Sequence, residues 1–513
     1  MNSKNLPEAA ILIRISFFSL IVMLLFPVLS CNKQEDSNSA KAAELRYGLT
    51  TEPVTLDPLS SSNTADGRSI LFNVFEGLVK PDSSGALIPA IAASYKIEQN
   101  GLCYVFSLKT GILFHNGEAL KAGDVVFSLE KAKESGFSGF NQIEKIEISG
   151  ENEIKITLKE PDPEFLPYLT TAVVPQNNPD REKNPIGTGP FKIESYAPQE
   201  SLVLLKNENY WQKDLPKLDK VTIVFISSSD ALLSGLYGGN IEGATLTGAL
   251  LSQLNSTGSS QARFDIIPWY SNTVQLLALN NAEKIFEDVR VRQAINYALD
   301  LNGIIETAFF GLGEPSGSPL IPGLKNVYNK SLRDPYPQDT AKAKSLLAEA
   351  GYPDGFPLEI VVASNYTMHV DTAQVIVSQL AGSGISGTIR LVDWATWLSE
   401  IYRGRNYQAT IISLDAANVS PRSFLSRYLS GNGGNFINFK NPEYDRVYNA
   451  ALAESDEEKR ISLYMQAQEV ISENAASVYI QDILGFWVFT AGRFGGVMNY
   501  PLYIIDFSTI YRQ

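Results

Sequence analysis

The sequence predicts an α/β protein with open sheets, divided into two or three lobes. Runs with the two-residue period of strands alternate along the chain with amphipathic runs of helical period, a pattern typical of mixed sheets covered by helices. The chain has 513 residues, which is more than one hydrophobic core usually serves. No low-complexity block or short internal repeat interrupts the alternation.

Individual elements can be read from these periods. Strand character is clearest in three runs rich in β-branched residues, at positions 154–158, 221–226 and 358–362. Amphipathic helices are predicted at positions 289–299, 340–350, 370–380 and 457–471. His369 is then expected just before the third of these helices.

Residues 104–128 are the most informative stretch, reading YVFSLKTGILFHNGEALKAGDVVFS. The first five alternate as a strand does, and Asn116-Gly117 predicts a tight turn because both residues tolerate positive φ. Asp124 precedes a helical run and is expected to cap its first amides. These features describe a scaffold of turns and caps, with no catalytic group.

Composition excludes several classes of partner. The formal net charge of −14 argues against nucleic acid or an anionic membrane surface, and it weakly favours neutral or cationic ligands. Two cysteines and two histidines are too few for a disulfide framework or a structural zinc site. We therefore predict no metal and no cofactor, and Cys103, beside a strand, is expected to be a buried structural thiol.

The start of the chain predicts export. Residues 1–30 carry positive charges and then a 15-residue apolar run at 15–29, which is short for a membrane span and suits a signal peptide. Val-Leu-Ser-Cys at 28–31 resembles a bacterial lipobox, which implies a lipid on Cys31 and a polar tether over 31–43. The protein would then be held at a membrane, on the periplasmic side or the cell surface. An uncleaved anchor helix is the alternative.

The stretch at 104–128 resembles the signature of family 5 solute-binding proteins, the dipeptide- and oligopeptide-binding components of ABC importers. The resemblance covers nearly the whole mature chain in order and spacing. Its further segments are FEGLV at 75–79, PIGTGPF at 185–191, FEDVRVRQAINYALD at 286–300, EAGY at 349–352 and NPEYD at 441–445.

This resemblance implies a two-lobed, type II periplasmic-binding-protein-like fold. The first lobe would comprise residues 44–270 and 487–513, with an extra subdomain at 81–184, and the second lobe residues 271–486. A small solute, foremost a peptide or related oligomer, would bind in the cleft and be passed to ABC permease subunits. The family implies a monomer and a binding protein with no enzymatic activity.

One departure from the family concerns the ligand. Family members that bind peptides hold the α-ammonium with an Asp, because a buried ammonium needs a paired anion. The corresponding stretch here is 414–425, aligned through Pro421 and the Phe-Leu pair after it. The ammonium-binding Asp then falls on Ala417, and a second family Asp falls on Ser420.

Two interpretations of this departure stay open. Asp415 takes over the ammonium from two residues earlier, or the protein does not bind peptides through a free amine. In the second case, which we slightly favour, the ligand is an oligosaccharide, a capped peptide or another solute. Asp415 would then serve only as a loop cap.

Further candidate ligand-binding residues follow from the resemblance and from their chemistry. Trp394 offers an indole for stacking, whereas Trp397 is expected in the core. Arg422 could hold a carboxylate through its bidentate fork. The other candidates lie at the first lobe crossing, after the first strand or in the ligand loop: Tyr270, Asn272, Glu52, Asn418 and Ser420.

Two functions from other classes compete with solute capture. An exported hydrolase could use a pair of carboxylates, although the sequence contains no GxSxG, HExxH or P-loop motif. A surface lipoprotein that binds a macromolecule would also tolerate the change at Ala417.

Overall fold

The computed structural model describes residues 43–256, 263–415 and 420–513. The predicted signal peptide, Cys31, Ala417 and Asn418 lie outside these described residues. In the described part of the chain, no helix is long and apolar enough to cross a membrane.

The strands fall into one large sheet and three small ones. In chain order they are β1 Glu44–Leu49, β2 Val79–Pro81, β3 Leu87–Pro89, β4 Ala92–Glu98, β5 Cys103–Leu108, β6 Ile143–Gly150, β7 Glu153–Leu158, β8 Phe191–Ala197, β9 Ser201–Lys206, β10 Lys220–Phe225, β11 Gly243–Thr247, β12 Phe264–Leu279, β13 Gly313–Pro315, β14 Pro357–Ala363, β15 Ser386–Val392, β16 Ala409–Asp415, β17 Ser477–Thr490, β18 Phe494–Gly495 and β19 Tyr511–Arg512.

The α-helices cover the faces of these sheets. In chain order they are α1 Ala65–Leu71, α2 Ala122–Glu134, α3 Ser229–Gly238, α4 Gly248–Ser256, α5 Val289–Tyr297, α6 Leu301–Phe309, α7 Thr340–Glu349, α8 Thr367–Ala381, α9 Trp394–Thr396, α10 Arg422–Leu425, α11 Pro442–Ala453 and α12 Glu457–Glu473. A π-helical segment, Trp397–Arg403, continues α9.

The predicted strands and helices are confirmed, with small shifts at their ends. The largest shift concerns α8, which begins at Thr367 rather than at residue 370. The prediction that His369 precedes this helix is therefore wrong, and His369 lies buried in its first turn. Asp124 is not the N-cap of α2, because the helix begins at Ala122, but as the third helical residue it takes part in a capping box: its carboxylate accepts from the amide of the N-cap residue Lys121 at 2.9 Å. The same carboxylate accepts from the Gln176 amide at 3.0 Å.

The large sheet spans both lobes. Within the described residues its strand order is β15-β14-β16-β12-β17-β11-β1-β10-β9-β8, and β13 pairs with β17 beside this path. The β11-β1-β10-β9-β8 end belongs to the first lobe and the β15-β14-β16 end to the second. The long antiparallel strands β12 and β17 join the two ends. The prediction of a two-lobed α/β fold is confirmed.

The crossing between lobes is irregular. Tyr270 pairs with Leu484, but the next pair joins Val274 to Asp482, so the register shifts within β12. Asn272 lies in this bulge with φ at +58°, in the left-handed region. Bulges bend a strand and re-aim its side chains, so the lobes meet at a local bend in an otherwise continuous ladder.

Each lobe has its own hydrophobic core. Tyr47, Phe191 and Trp487 are central to the first lobe, and Trp397 and Tyr444 to one of two clusters in the second. The extra subdomain encloses a separate core between the β4-β5-β7-β6 sheet and α2. Its strand β5 alternates as predicted, with Tyr104 and Phe106 fully buried, and Cys103 is a buried free thiol.

Two glycines allow the PIGTGPF segment to approach the chain near Val74. A Cβ on Gly187 would lie 2.0 Å from the backbone oxygen of Val74. The Gly189 amide donates to that same oxygen at 2.9 Å. His115 joins this contact from the extra subdomain, because its Nδ1 accepts from the Gly187 amide at 3.2 Å.

Gly187→Ala is therefore expected to destabilise the protein by ~2 kcal/mol or more, since the clash is with backbone that no rotamer change relieves. The measurement is urea unfolding of the domain starting at residue 42. Gly123→Ala is the matched control in the same lobe: its Cβ would contact only the Gln176 side chain, at 3.6 Å, so we expect a change within about 1 kcal/mol. Equal midpoints for the two variants would contradict this account of the segment.

Candidate functional site: the cleft between the lobes

A cavity of about 750 Å³ lies between the lobes. The first lobe contributes residues from 58–81, from the extra subdomain and from 502–508, and the second lobe contributes Asn272, Asp415 and residues from 422–427. Small-molecule sites occupy roughly 300–1,000 Å³. We call this cavity the cleft, and its size suits a small solute.

Aromatic and aliphatic side chains form much of the cleft wall. They include Leu71, Phe72, Phe75, Phe137, Tyr168 and Tyr503. The Tyr503 ring is fixed by a stack on Trp269, with centroids 4.8 Å apart and planes at 19°, and Trp269 in turn lies against Trp487 at 6.0 Å. Trp269 packs over Gly485, where a Cβ would come within 2.2 Å of the indole.

Two arginines of the cleft have no acidic partner among the described residues. Arg68, on α1, donates to the backbone oxygen of Asn63 at 2.8 Å, and Arg427 donates to the backbone oxygen of Asp415 at 2.7 Å. A guanidinium has five N–H donors in a planar fork suited to a carboxylate. Each arginine therefore keeps donors for a ligand.

The acidic residues of the cleft differ in their partners. Glu76 is buried, and its carboxylate accepts from the Tyr210 hydroxyl at 2.8 Å and the Trp211 Nε1 at 2.9 Å, with the Lys80 ammonium at 3.5 Å. Thr188 adds a further hydroxyl donor at 3.2 Å. Glu76 is thus saturated by its own lobe and supports the cleft floor.

Asp506 and Asp415 illustrate the two extremes. Asp506 accepts from the Tyr500 hydroxyl at 2.7 Å and from the hydroxyl and amide of Ser508 at 2.6 Å and 2.8 Å. Asp415 ends β16 with an exposed side chain, and no described residue donates to its carboxylate. Asp415 is therefore the cleft acid with acceptor capacity left for a ligand.

Of the predicted ligand-binding residues that the structure describes, three line the cleft: Asn272, Asp415 and Arg422. Ser420 lies next to them, and its hydroxyl donates to Glu164 at 3.4 Å. The Arg422 guanidinium is occupied, because its Nη1 lies 2.6 Å from the Asp162 carboxylate of the extra subdomain.

The other three described candidates do not line the cleft. The Glu52 carboxylate accepts from the Tyr196 hydroxyl at 3.1 Å and the Gln199 amide at 2.8 Å, which ties a loop to the β8–β9 hairpin. The Tyr270 hydroxyl donates to Glu314 at 2.8 Å. Trp394 stacks on the buried Trp397, with centroids 5.1 Å apart and planes at 5°.

Arg68, Arg427 and Tyr503 were not predicted from the sequence. Arg427 lies two residues beyond the aligned loop at 414–425. An extension of that alignment would have indicated Arg427 as a candidate. Arg68 and Tyr503 are far apart in the chain and meet only through the fold.

Neither histidine faces the cleft. Burial lowers the pKa of His115 to about 4, and burial likewise lowers the pKa of His369 to about 4. His369 Nδ1 accepts from the Gln275 amide at 3.0 Å. Among the described residues, no group of three or more His, Cys, Asp or Glu side chains is placed to hold a metal ion.

Two lobes joined by crossing strands, with a ligand-sized cleft between them, define the class of two-lobed binding proteins. Residues 86–436 match the family model described as "Bacterial extracellular solute-binding proteins, family 5 Middle". The chain therefore belongs to family 5 of the bacterial extracellular solute-binding proteins, which serve ABC importers. The sequence-based assignment to this family is confirmed.

Known proteins resemble this chain over most of its length. Heme-binding protein A of Haemophilus influenzae is 28% identical over 504 residues, which cover 89% of this chain and 91% of that protein. Glutathione-binding protein GsiB of Salmonella choleraesuis is 26% identical over 470 residues, covering 85% and 90%. The ABC transporter-associated periplasmic binding protein DppA from Helicobacter pylori, solved with the peptide STSA, aligns with a TM-score of 0.71 and 25% identity, covering 92% and 99%.

The saturation of Glu76 yields a stability prediction. Glu76→Gln places an amide among hydroxyl, indole and ammonium donors, so at least one buried donor loses its acceptor. We expect a loss of about 1–3 kcal/mol in the free energy of unfolding, measured by urea unfolding without ligand. The matched change at the exposed Glu151 should leave stability within about 0.5 kcal/mol. If both variants behave alike, Glu76 does not support the cleft floor.

Proposed function

We propose that this protein captures a small, peptide-like solute bearing at least one carboxylate and delivers it to the permease of an ABC importer. The observation that carries the proposal is the pair Arg68 and Arg427, which line the cleft from opposite lobes without an acidic partner among the described residues. A ligand carboxylate between the lobes would satisfy one or both and favour closure.

The relatives support a carboxylate ligand. Two of these relatives are named for binding heme and glutathione, and each of these two molecules carries two carboxylates. A cleft of about 750 Å³ has room for solutes of this class. The position of Asp415 on the cleft wall supports its taking over the ammonium of a peptide from the aligned position 417. Asn272 would complete the polar wall, and Arg422, which also lines the cleft, would border it while paired with Asp162.

Arg427→Gln and Arg68→Gln are expected to weaken binding of an anionic solute by roughly tenfold or more each, because each removes a charge-assisted hydrogen bond. The ligand is first identified by native mass spectrometry of the domain starting at residue 42. Calorimetry then gives its affinity for each variant, with glutathione as the first probe. The control is Arg403→Gln, which changes an exposed arginine outside the cleft.

Two results would count against this assignment. One is an uncharged co-purified ligand, and the other is an affinity that neither arginine variant changes. Turnover of the ligand, followed by chromatography over hours, would instead favour the exported hydrolase. Family 5 consists of binding proteins, and the proposal predicts that the ligand is recovered intact.

Asp415→Asn separates the two interpretations of the ligand loop. If Asp415 holds a peptide ammonium, the variant should lose roughly tenfold or more in affinity for a peptide with a free amine. The same peptide with an acetylated amine should bind both proteins equally weakly. Equal affinity of both proteins for the free-amine peptide would assign Asp415 to the loop, and the ligand to another class.

Membrane attachment and domain limits complete the proposal. The lipobox-like residues 28–31 support cleavage after residue 30 and a lipid on Cys31, with 31–43 as the tether. We propose lobes at 44–270 with 487–513 and at 271–486, the extra subdomain at 81–184, and a monomer.

Cys31→Ala should move the exported protein from the membrane to the soluble fraction. Unchanged membrane recovery would favour the uncleaved anchor.

A further inference from the structure

The extra subdomain contacts the second lobe through a group of charged and hydroxyl side chains. The subdomain supplies Asp162 and Glu164, and the second lobe supplies Ser420, Arg422, Arg460 and Tyr464. We call these six residues the bridge. In each of these contacts the two partners lie more than 250 residues apart in the sequence. Only the tertiary fold therefore brings them together.

The bridge has two carboxylates, each held by donors from the other lobe. Asp162 Oδ2 lies 2.6 Å from Arg422 Nη1. Glu164 Oε2 accepts from the Tyr464 hydroxyl at 2.5 Å and from the Ser420 hydroxyl at 3.4 Å, and its Oε1 lies 3.6 Å from Arg460 Nε. The acids are thus all in the extra subdomain, and the donors are all in the second lobe.

Burial makes these contacts matter energetically. The side chains of Asp162 and Glu164 are 8% and 10% exposed, and that of Arg460 is 15% exposed. A charge buried without a partner is costly, whereas a surface pair contributes little. Loss of one partner therefore disfavours the contact between the lobes and favours their separation, where water solvates the remaining groups.

Local structure fixes the two acids in place. The Asp162 amide donates to the Gly101 backbone oxygen, and Asp162 Oδ1 accepts from the Glu164 amide at 3.0 Å. A Cβ on Gly101 would meet the Asp162 backbone at 2.6 Å, and Gly101 has φ at +88°. The acids are presented from a packed turn, so the subdomain offers a preformed surface to the second lobe.

We propose that the bridge holds the extra subdomain against the second lobe before any ligand binds, so that the ligand-free protein already populates a partly closed arrangement. Every bridge contact is between side chains of this chain, and none requires a solute. Arg460 and Glu164 do not line the cleft, so their contribution is separate from ligand contact. If a larger fraction of the molecules already has the arrangement that binds the ligand, the apparent affinity for the ligand rises in proportion.

The test measures lobe separation in the ligand-free protein by pulsed electron paramagnetic resonance. Spin labels are attached at Glu151→Cys in the extra subdomain and Ser455→Cys in the second lobe, in a Cys103→Ser background. Glu164→Gln with Arg460→Gln should add a population at longer distance amounting to at least half of the molecules. Tyr464→Phe, a milder change that keeps the ring, should add a smaller fraction of the same population.

Matched controls isolate the bridge from general charge effects. Glu160→Gln and Lys459→Gln change exposed neighbours of Glu164 and Arg460, and they should leave the parental distance distribution unchanged. If the bridge variants, folded by circular dichroism, also give the parental distribution, the proposal is wrong. A double variant that does not fold leaves the decision to Tyr464→Phe. Since no ligand is added, the outcome is independent of the solute proposed above.

Discussion

The antiparallel pairing of β12 with β17 is the constraint on which the rest of the structure depends. Residues 264–270 pair with residues 484–490 of β17, and residues 274–278 pair with residues 477–482. A ladder that runs through both lobes keeps them joined at the crossing, while the register shift after Tyr270 gives the ladder one place to bend. Asn272 lies in that bend and also lines the cleft, so the bend and the cleft wall share a residue.

The average charge of the chain does not determine the charge of its cleft. The net charge of −14 weakly favoured a neutral or cationic ligand, yet Arg68 and Arg427 face the cleft without acidic partners among the described residues. Glu76 and Asp506 also line the cleft, but their carboxylates already accept hydrogen bonds from donors of their own lobe. The sign of the charge that the cleft wall presents to a ligand depends on which side chains remain unpaired, and the composition of the chain does not contain that information.

The fold could be predicted from the sequence largely because it depends on local periods and on a signature that covers most of the chain. The site was harder to predict. Asn272, Asp415 and Arg422, which lie at the lobe crossing or in an aligned loop, are described candidates that line the cleft. Glu52 and Trp394 also have the right chemistry for a ligand, but neither lines the cleft. The Glu52 carboxylate accepts from Tyr196 and Gln199, and Trp394 stacks on Trp397. Contacts of this kind form between segments that are distant in the sequence. The local pattern of residues along the chain does not encode them.

Pairing also separates the roles of the two arginines that lie close together after the ligand loop. Arg422 and Arg427 both line the cleft, and both belong to the second lobe. The acidic partner of Arg422 lies on the extra subdomain at 2.6 Å, whereas Arg427 contacts only a backbone oxygen of its own lobe among the described residues. A ligand carboxylate at Arg422 would compete with the buried Asp162 carboxylate for the same cation, and a buried carboxylate without its cation is costly. A ligand at Arg427 displaces no acid, so in the proposed site we expect Arg427 to hold the solute and Arg422 to hold the contact between the lobes.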